Sequence, residues 1–289
     1  MSMSRRLDGD SEGAQAPASP APQRGNVTFL TDFALQDDFV GTCHRVMARI
    51  APDVRVIDVT HAIEPQAVMQ GAIVLRNTVP YLPVGVHLAV VDPGVGGTRR
   101  AVAVRAADGR TFVGPDNGLL MLAADEAGVE SAHELADPRF RLADVSRTFH
   151  ARDIFAPAAA HLAAGVSISE LGPAVDPTDQ VRIDVPEPVV GRTQISTTVL
   201  AVDRFGNIAT NAKREQVAAL GVAAGDRVEI RLTLDRYYAV LADTFADAGP
   251  GELLLYEDSY GLMTLAISRG DAAGLTGVSA GSEIRIAVA

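Results

Sequence analysis

The chain has 289 residues, 47% of them hydrophobic and 21% charged, and 25 basic against 36 acidic side chains leave a net charge of −11. That is enough chain for about two domains with a sizeable core, and the acidic balance argues against nucleic acid or an anionic membrane as a partner while leaving a neutral or cationic small molecule as the easier guest. No uninterrupted apolar run approaches the roughly 18 residues of a membrane helix, the N-terminus lacks the apolar core of a signal peptide, and Cys43 has no second cysteine to pair with, so a reducing, cytoplasmic setting is expected.

Residues 1–25 are rich in Ser, Ala, Pro, Gly and charge, and are expected to be a disordered tail. From Asn26 the pattern alternates: a strand over 27–30, a helix over 39–50, a strand over 54–59, a helix over 67–79 and a strand over 86–91. Strand and helix at this spacing mean βαβ units and a largely parallel sheet. A hairpin over 101–105 and 111–113, turning at Ala-Asp-Gly, follows, with a helix from Leu119 to about Ala127 and a last helix over 154–164. The expected N-terminal domain is therefore 26–172, α/β in class, with a mostly parallel central sheet flanked by helices. Pro173, Pro177, Pro186 and Pro188 punctuate a linker over 173–190. Beyond it, over 191–289, short apolar runs at 193–202, 227–232, 253–256, 262–267 and 283–288 read as strands of a small all-β domain, a barrel or a sandwich.

Chemistry concentrates at the ends of the first strands. The run His87 to Val91 stops at Asp92-Pro93 and a turn holding Gly94, Gly96 and Gly97, with Arg99 seven residues after Asp92. Pro93 biases Asp92 towards an extended conformation, and the glycines let backbone turn sharply and approach a ligand. A capping Asp in an ordinary turn is the alternative reading of this stretch. In an open parallel sheet, ligands bind outside the carboxyl ends of the strands, so Thr31-Asp32, Thr60-His61 and Asp92-Pro93 should share one rim, with Gly114-Pro115-Asp116-Asn117-Gly118 beside it. Asp116 and Asn117 serve equally well as helix caps.

Several common chemistries lack their signatures. The glycines do not spell G-x-G-x-x-G, and no phosphate loop, no G-x-S-x-G elbow and no H-E-x-x-H is present among the six histidines. Hydride transfer, phosphoryl transfer, serine hydrolysis and zinc hydrolysis are correspondingly disfavoured.

Five phrases occur in order: Leu30-Thr31-Asp32-Phe33, Val91-Asp92-Pro93-Gly94-Val95-Gly96, Gly114-Pro115-Asp116-Asn117-Gly118, the run from Thr148 to Pro157 (TFHARDIFAP), and Asp203-Arg204-Phe205-Gly206-Asn207. Together they resemble the S-adenosyl-L-methionine (SAM) hydroxide adenosyltransferases, or SAM hydrolases, relatives of the fluorinases and chlorinases. The resemblance covers about residues 26–289. It implies an N-terminal α/β domain, a C-terminal β-barrel, and a homotrimer with active sites between the N-terminal domain of one subunit and the C-terminal domain of the next. It also implies hydrolysis of SAM to adenosine and methionine by attack of activated water on C5′, with SAM as substrate and neither cofactor nor metal.

By the same resemblance, Asp92, Arg99 and His150 activate the water. Asp32 accepts hydrogen bonds from the ribose hydroxyls, Phe205 stacks on adenine, Asn207 reads its edge, and Asp203 and Ser259 hold the methionine end. Barrel packing for Phe205 and a plain turn at Ser259 are the alternatives. The departures are informative too. The halogenases place an aromatic residue and a hydroxyl near the halide where this chain has Asp92 and Val95, a serine where it has Ala151, and a long insertion where it has the turn 106–110. A carboxylate there repels halide, which disfavours a halide-dependent adenosyltransferase. Ala151 stands where the hydrolases usually have Gly, and a non-catalytic adenosine- or SAM-binding protein that has lost turnover through Ala151 is the third reading; Ser268 stands where the family commonly has Asn, which bears on the last adenine or methionine contacts.

Overall fold

The computed structural model describes residues 25–289. The tail expected over 1–25 lies, Gly25 apart, outside the described residues. The first half of the chain folds as β1 (Asn26–Thr31), α1 (Phe39–Ile50), β2 (Arg55–Thr60), α2 (Val68–Thr78), β3 (Val86–Val90), β4 (Ala101–Ala106), β5 (Thr111–Pro115), α3 (Met121–Glu126), β6 (Val129–Glu134), α4 (Ala156–Ala163) and β7 (Ala174–Val175). Its strands form one seven-stranded sheet in the order β2-β1-β3-β5-β4-β6-β7. The β2-β1-β3-β5 part is parallel, and β4, β6 and β7 join antiparallel to their neighbours.

Burial on both faces explains the near-continuous apolar runs of the central strands. Along β1, Val27 and Phe29 point to one side, where α1 supplies Cys43 and Met47, α4 supplies Ala159 and the turn before α4 supplies Phe155. Leu30 points to the other, where α2 and α3 supply Ala72, Leu75 and Ala124. The alternation is the two-residue period of a strand read across a three-layer α/β/α stack.

The second half folds as β8 (Val189–Val190), β9 (Gln194–Val202), β10 (Ile208–Thr210), α5 (Arg214–Ala218), β11 (Arg227–Arg231), β12 (Arg236–Ala242), β13 (Leu253–Glu257), β14 (Met263–Ile267), α6 (Ala272–Thr276) and β15 (Glu283–Val288). The order β10-β14-β13-β12-β11-β15-β9 closes on itself because β9 also pairs with β10. The result is a seven-stranded barrel, with β8 hydrogen-bonded outside it to β9. Closure leaves no exposed edge on those seven strands. Ile195, Val199, Ile208, Ile230, Leu241, Leu265 and Ile286 fill its interior. No helix of the described residues is long and apolar enough to cross a membrane.

The structure adds to the sequence expectation in three places. Five strands were expected in the barrel, and β10 and β12 complete it. β10 has three residues, and β12 opens with the largely exposed Arg236-Tyr237-Tyr238, so neither shows a full apolar alternation. β6 (VESAHE) buries only Ala132, and reads as polar. The last helix of the first half begins earlier than expected, as a π-helical turn over Ala151–Phe155 that runs into α4.

Candidate active site

β1 and β3 are parallel neighbours, so the residues that follow them emerge at the same end of the sheet. Asp32 and Asp92 both line one cavity of about 460 Å³, together with Phe33, Phe39, Gln66, Val95, Phe149, His150 and Ala151. Of the rim expected from the strand order, Asp32 and Asp92-Pro93 share this cavity, whereas Thr60-His61 and residues 114–118 do not line it. Arg99 folds back onto Asp92: its Nε donates to Oδ1 and Oδ2 at 3.0 and 3.1 Å, and its Nη2 makes a closer bond to Oδ2. The two side chains are 12% and 6% exposed. Nη2 also lies 2.9 Å from His150 Nδ1. A guanidinium has donors and no acceptor, so it donates to both neighbours. His150 Nδ1 must then carry a lone pair, and the ring proton sits on Nε2. Asp92 orients Arg99, and reaches His150 only through it.

Burial, followed by the nearby Arg99 charge, holds the His150 pKa below its ordinary value. The imidazole is thus neutral at pH 7, consistent with the tautomer that Arg99 imposes. The Arg99 guanidinium also sits 5.1 Å from the centre of the Phe155 ring.

Local structure locks these groups in place. Gly96 has φ of +74°, and a Cβ there would overlap the Arg147 carbonyl oxygen, so the Asp92 loop can press against the segment that carries His150. Asp153, fully buried, accepts from the Ser146 amide at 2.8 Å and pairs with Arg152 at 2.6 Å, which closes the loop leading into His150. His150 itself precedes the π-turn, an irregularity frequent where a helix serves a site. Asn117 Nδ2 donates to the Val91 carbonyl at 2.9 Å, directly before Asp92. Asp116 pairs with Arg100 at 2.7 Å and accepts from the Val181 amide. These two residues thus have the structural roles that caps and ties have.

Asp32 is held by a residue the sequence did not single out. Its Oδ2 accepts from the Gln66 amide at 2.9 Å. Gln66 has φ of +66° and nearby Ala34 has φ of +55°. Left-handed backbone at two non-glycine residues costs of order 1 kcal/mol each and is maintained here by the bonds Gln66 and Ala34 make, Ala34 donating to the His61 carbonyl at 2.7 Å. His61 itself does not line the cavity: its buried ring is 2.8 Å from Thr31 Oγ1, behind Asp32.

The remaining expected residues lie on the barrel. Asp203, Asn207 and Ser259 line a different cavity of about 490 Å³, with Tyr256, Tyr260 and the α2 residues Gln70 and Asn77. Asp203 Oδ1 accepts from the Phe205 and Asn207 amides at 2.8 and 2.9 Å, and Oδ2 accepts from Asn207 Nδ2 at 2.8 Å. Gly206, with φ of +80°, lets this turn seat on Asp271, whose side chain caps α6. The turn projects Phe205 into solvent, 71% exposed. Within one chain, then, the Asp92-Arg99-His150 trio and Asp32 are brought together, while Phe205, Asn207, Asp203 and Ser259 form a second group apart from them.

Residues 27–172 match the model of the SAM hydroxide adenosyltransferase N-terminal domain, and residues 197–285 match that of its C-terminal domain. The chain belongs to the SAM hydroxide adenosyltransferase family. It is 48% identical over 261 residues to the (R)-S-adenosyl-L-methionine hydrolase of Salinispora tropica, covering 90% of this chain and 97% of that one. It is 40% identical to the protein of the same name from Thermus thermophilus, covering 90% and 98%. A fluorinase from an Actinoplanes species is more distant, at 32% identity over 85% of this chain and 92% of its own. Among solved structures, a conserved protein from Thermotoga maritima superimposes with a TM-score of 0.84 at 36% identity, over 90% of this chain and 99% of that one.

Proposed function

We propose that this chain hydrolyses SAM to adenosine and L-methionine, in the (R) form named for its Salinispora and Thermus relatives. The observation that carries the reading is Arg99, a cation donating simultaneously to Asp92 and His150 beside the cavity that also holds Asp32. The C5′ carbon of SAM already bears a sulfonium, and methionine leaves as a neutral thioether without a proton. The difficulty lies with the nucleophile, because water is a poor one and hydroxide is scarce at neutral pH. A fixed guanidinium stabilises the charge that develops as water loses its proton. The Nε2–H of neutral His150 can donate to the same oxygen and orient it, while Asp92 holds Arg99 against rotation. Water oxygen bonds to C5′, the C5′–S bond breaks onto sulfur, and one proton leaves to solvent.

Asp32 is assigned to the ribose hydroxyls, since a carboxylate accepts well from a vicinal diol. Phe205 is assigned to adenine stacking, Asn207 to the adenine edge, and Asp203 and Ser259 to the amino-acid end. Because the barrel group lies apart from the trio and Phe205 projects outwards, the complete site is proposed to form between copies in a homotrimer. The sulfonium chemistry requires no cofactor, and the cytoplasm, in keeping with a single cysteine, is the proposed compartment.

The test is incubation of the pure protein with SAM, with and without chloride. Adenosine and methionine in equal amounts, one proton released per turnover and no halide dependence are the expected outcome. A 5′-chloro nucleoside, or saturable SAM binding with no product, would overturn it.

A further inference from the structure

Away from the cavity, three donors converge on the outer side of β2. His44 on α1, Asp58 on β2 and His61 just after β2 bring two imidazole nitrogens and a carboxylate oxygen within 4.8 Å of one another. Asp58 Oδ1 is 2.8 Å from His44 Nε2 and 3.1 Å from His61 Nε2. We propose that His44, Asp58 and His61 form a structural binding site for one divalent transition-metal ion of the zinc class, with water completing the coordination.

The donors fit that class of ion. Two imidazole nitrogens and a carboxylate are a common set for zinc, which binds such groups at about 2.0–2.1 Å and so separates tetrahedral partners by about 3.3 Å. The two carboxylate–imidazole separations need to open by about 0.2–0.5 Å, while the two imidazole nitrogens, in a group that spans up to 4.8 Å, need to draw together. His61 itself points to a ligand. Its side chain is only 4% exposed, its Nε2 is closed to solvent, and that nitrogen makes no hydrogen bond even though Asp58 is 3.1 Å away. The carboxylate is near but does not meet the ring nitrogen in hydrogen-bonding geometry, so the nitrogen is buried without a partner. The opposite ring nitrogen, Nδ1, lies 2.8 Å from Thr31 Oγ1, the outer bond that typically fixes a ligating histidine.

Packing prepares the rings as well. Phe29, fully buried in β1, meets the His61 ring edge-on at 4.8 Å and the His44 ring at 5.9 Å. Asp58 pairs in register with Phe29 across the β1–β2 ladder. Asp58 and His44 are partly exposed, so an ion has a route in from solvent. None of the three lines the cavity of the catalytic trio, so the site is compatible with a metal-free reaction there. A bound ion would clamp α1 to β2 and hold Thr31, the residue directly before Asp32.

The test uses tag-free full-length protein, dialysed against chelator and titrated with Zn²⁺ by calorimetry and with Co²⁺ by its visible absorption. One ion per chain is expected, with Co²⁺ bands of a low-coordinate site and a rise in Tm on adding Zn²⁺. His44→Ala, at a partly exposed helix position, and Asp58→Asn should each weaken uptake by more than ~10-fold and abolish the Tm shift, whereas His161→Ala should leave both unchanged. Absence of uptake at ~100 µM Zn²⁺, or uptake that His44→Ala and Asp58→Asn leave intact, would overturn the proposal.

Discussion

Replacing Arg99 with methionine, of similar volume and no charge, separates what the residue does for the fold from what it does for the reaction. In the folded chain the guanidinium and the Asp92 carboxylate are 3.0 Å apart and 12% and 6% exposed. At an effective dielectric of about 20, unit charges at that distance attract by about 5 kcal/mol, most of it offset by the cost of removing both from water. Removing only the cation strands the carboxylate, at a cost of about 3–5 kcal/mol. Arg99→Met should therefore lower the urea-unfolding free energy by that amount. It should also lower kcat by ~10²–10³, the usual effect of losing one fixed stabiliser of developing negative charge. Adding Asp92→Asn removes the stranded charge, so the double variant should recover most of the stability while remaining inactive. Urea titrations followed by circular dichroism, with chromatographic quantification of adenosine, measure both effects. A destabilisation under about 1 kcal/mol, or a kcat within tenfold of the parent, would be incompatible with these two roles of Arg99.

Because burial and Arg99 hold the His150 pKa below its ordinary value, kcat/KM should be flat through neutrality and fall only on the acid side of about 6.5, as protonation of Nδ1 expels the Arg99 bond; an inflection above pH 7 would contradict this. Burial pushes the pKa of His87 down to about 4, so the unfolded chain binds the extra proton first as pH falls. Stability fully present above about pH 6.5 should be lost towards pH 4, by about 3 kcal/mol, and His87→Gln should flatten that slope in urea titrations at stepped pH. Phe205→Ala should raise the KM for SAM by ~5- to 30-fold with little effect on Tm, the value of one aromatic-base stack at an exposed position; an unchanged KM would remove Phe205 from the site.

The fold was legible where burial imposes a period. β1 and β3 lie inside a three-layer stack, and their apolar runs show it. β6 has a largely polar sequence and is held by ladder bonds to β4 and β7 rather than by its own side chains. β10 is too short to show any period, yet it closes the barrel. At the site, Asp92, Arg99 and His150 could be named from motifs, but not the order of their contacts. That Arg99 stands between the other two, and so sets the His150 tautomer, depends on a side chain returning across seven residues and meeting one fifty-one residues on. Gln66 was invisible because its contribution is a backbone amide presented by a left-handed residue. The His44-Asp58-His61 grouping is not legible in the sequence, where His61 stands out only as a residue following β2, because a helix, a strand and a loop each contribute one member.

Whether water attacks C5′ of SAM beside Arg99 is read out by turnover in oxygen-18 water, with mass analysis of every product. The label should appear in the 5′-hydroxyl of adenosine, one atom per turnover, with unlabelled methionine. Label in homoserine alongside methylthioadenosine, or in methanol alongside S-adenosylhomocysteine, would show attack at another carbon of the sulfonium and contradict it.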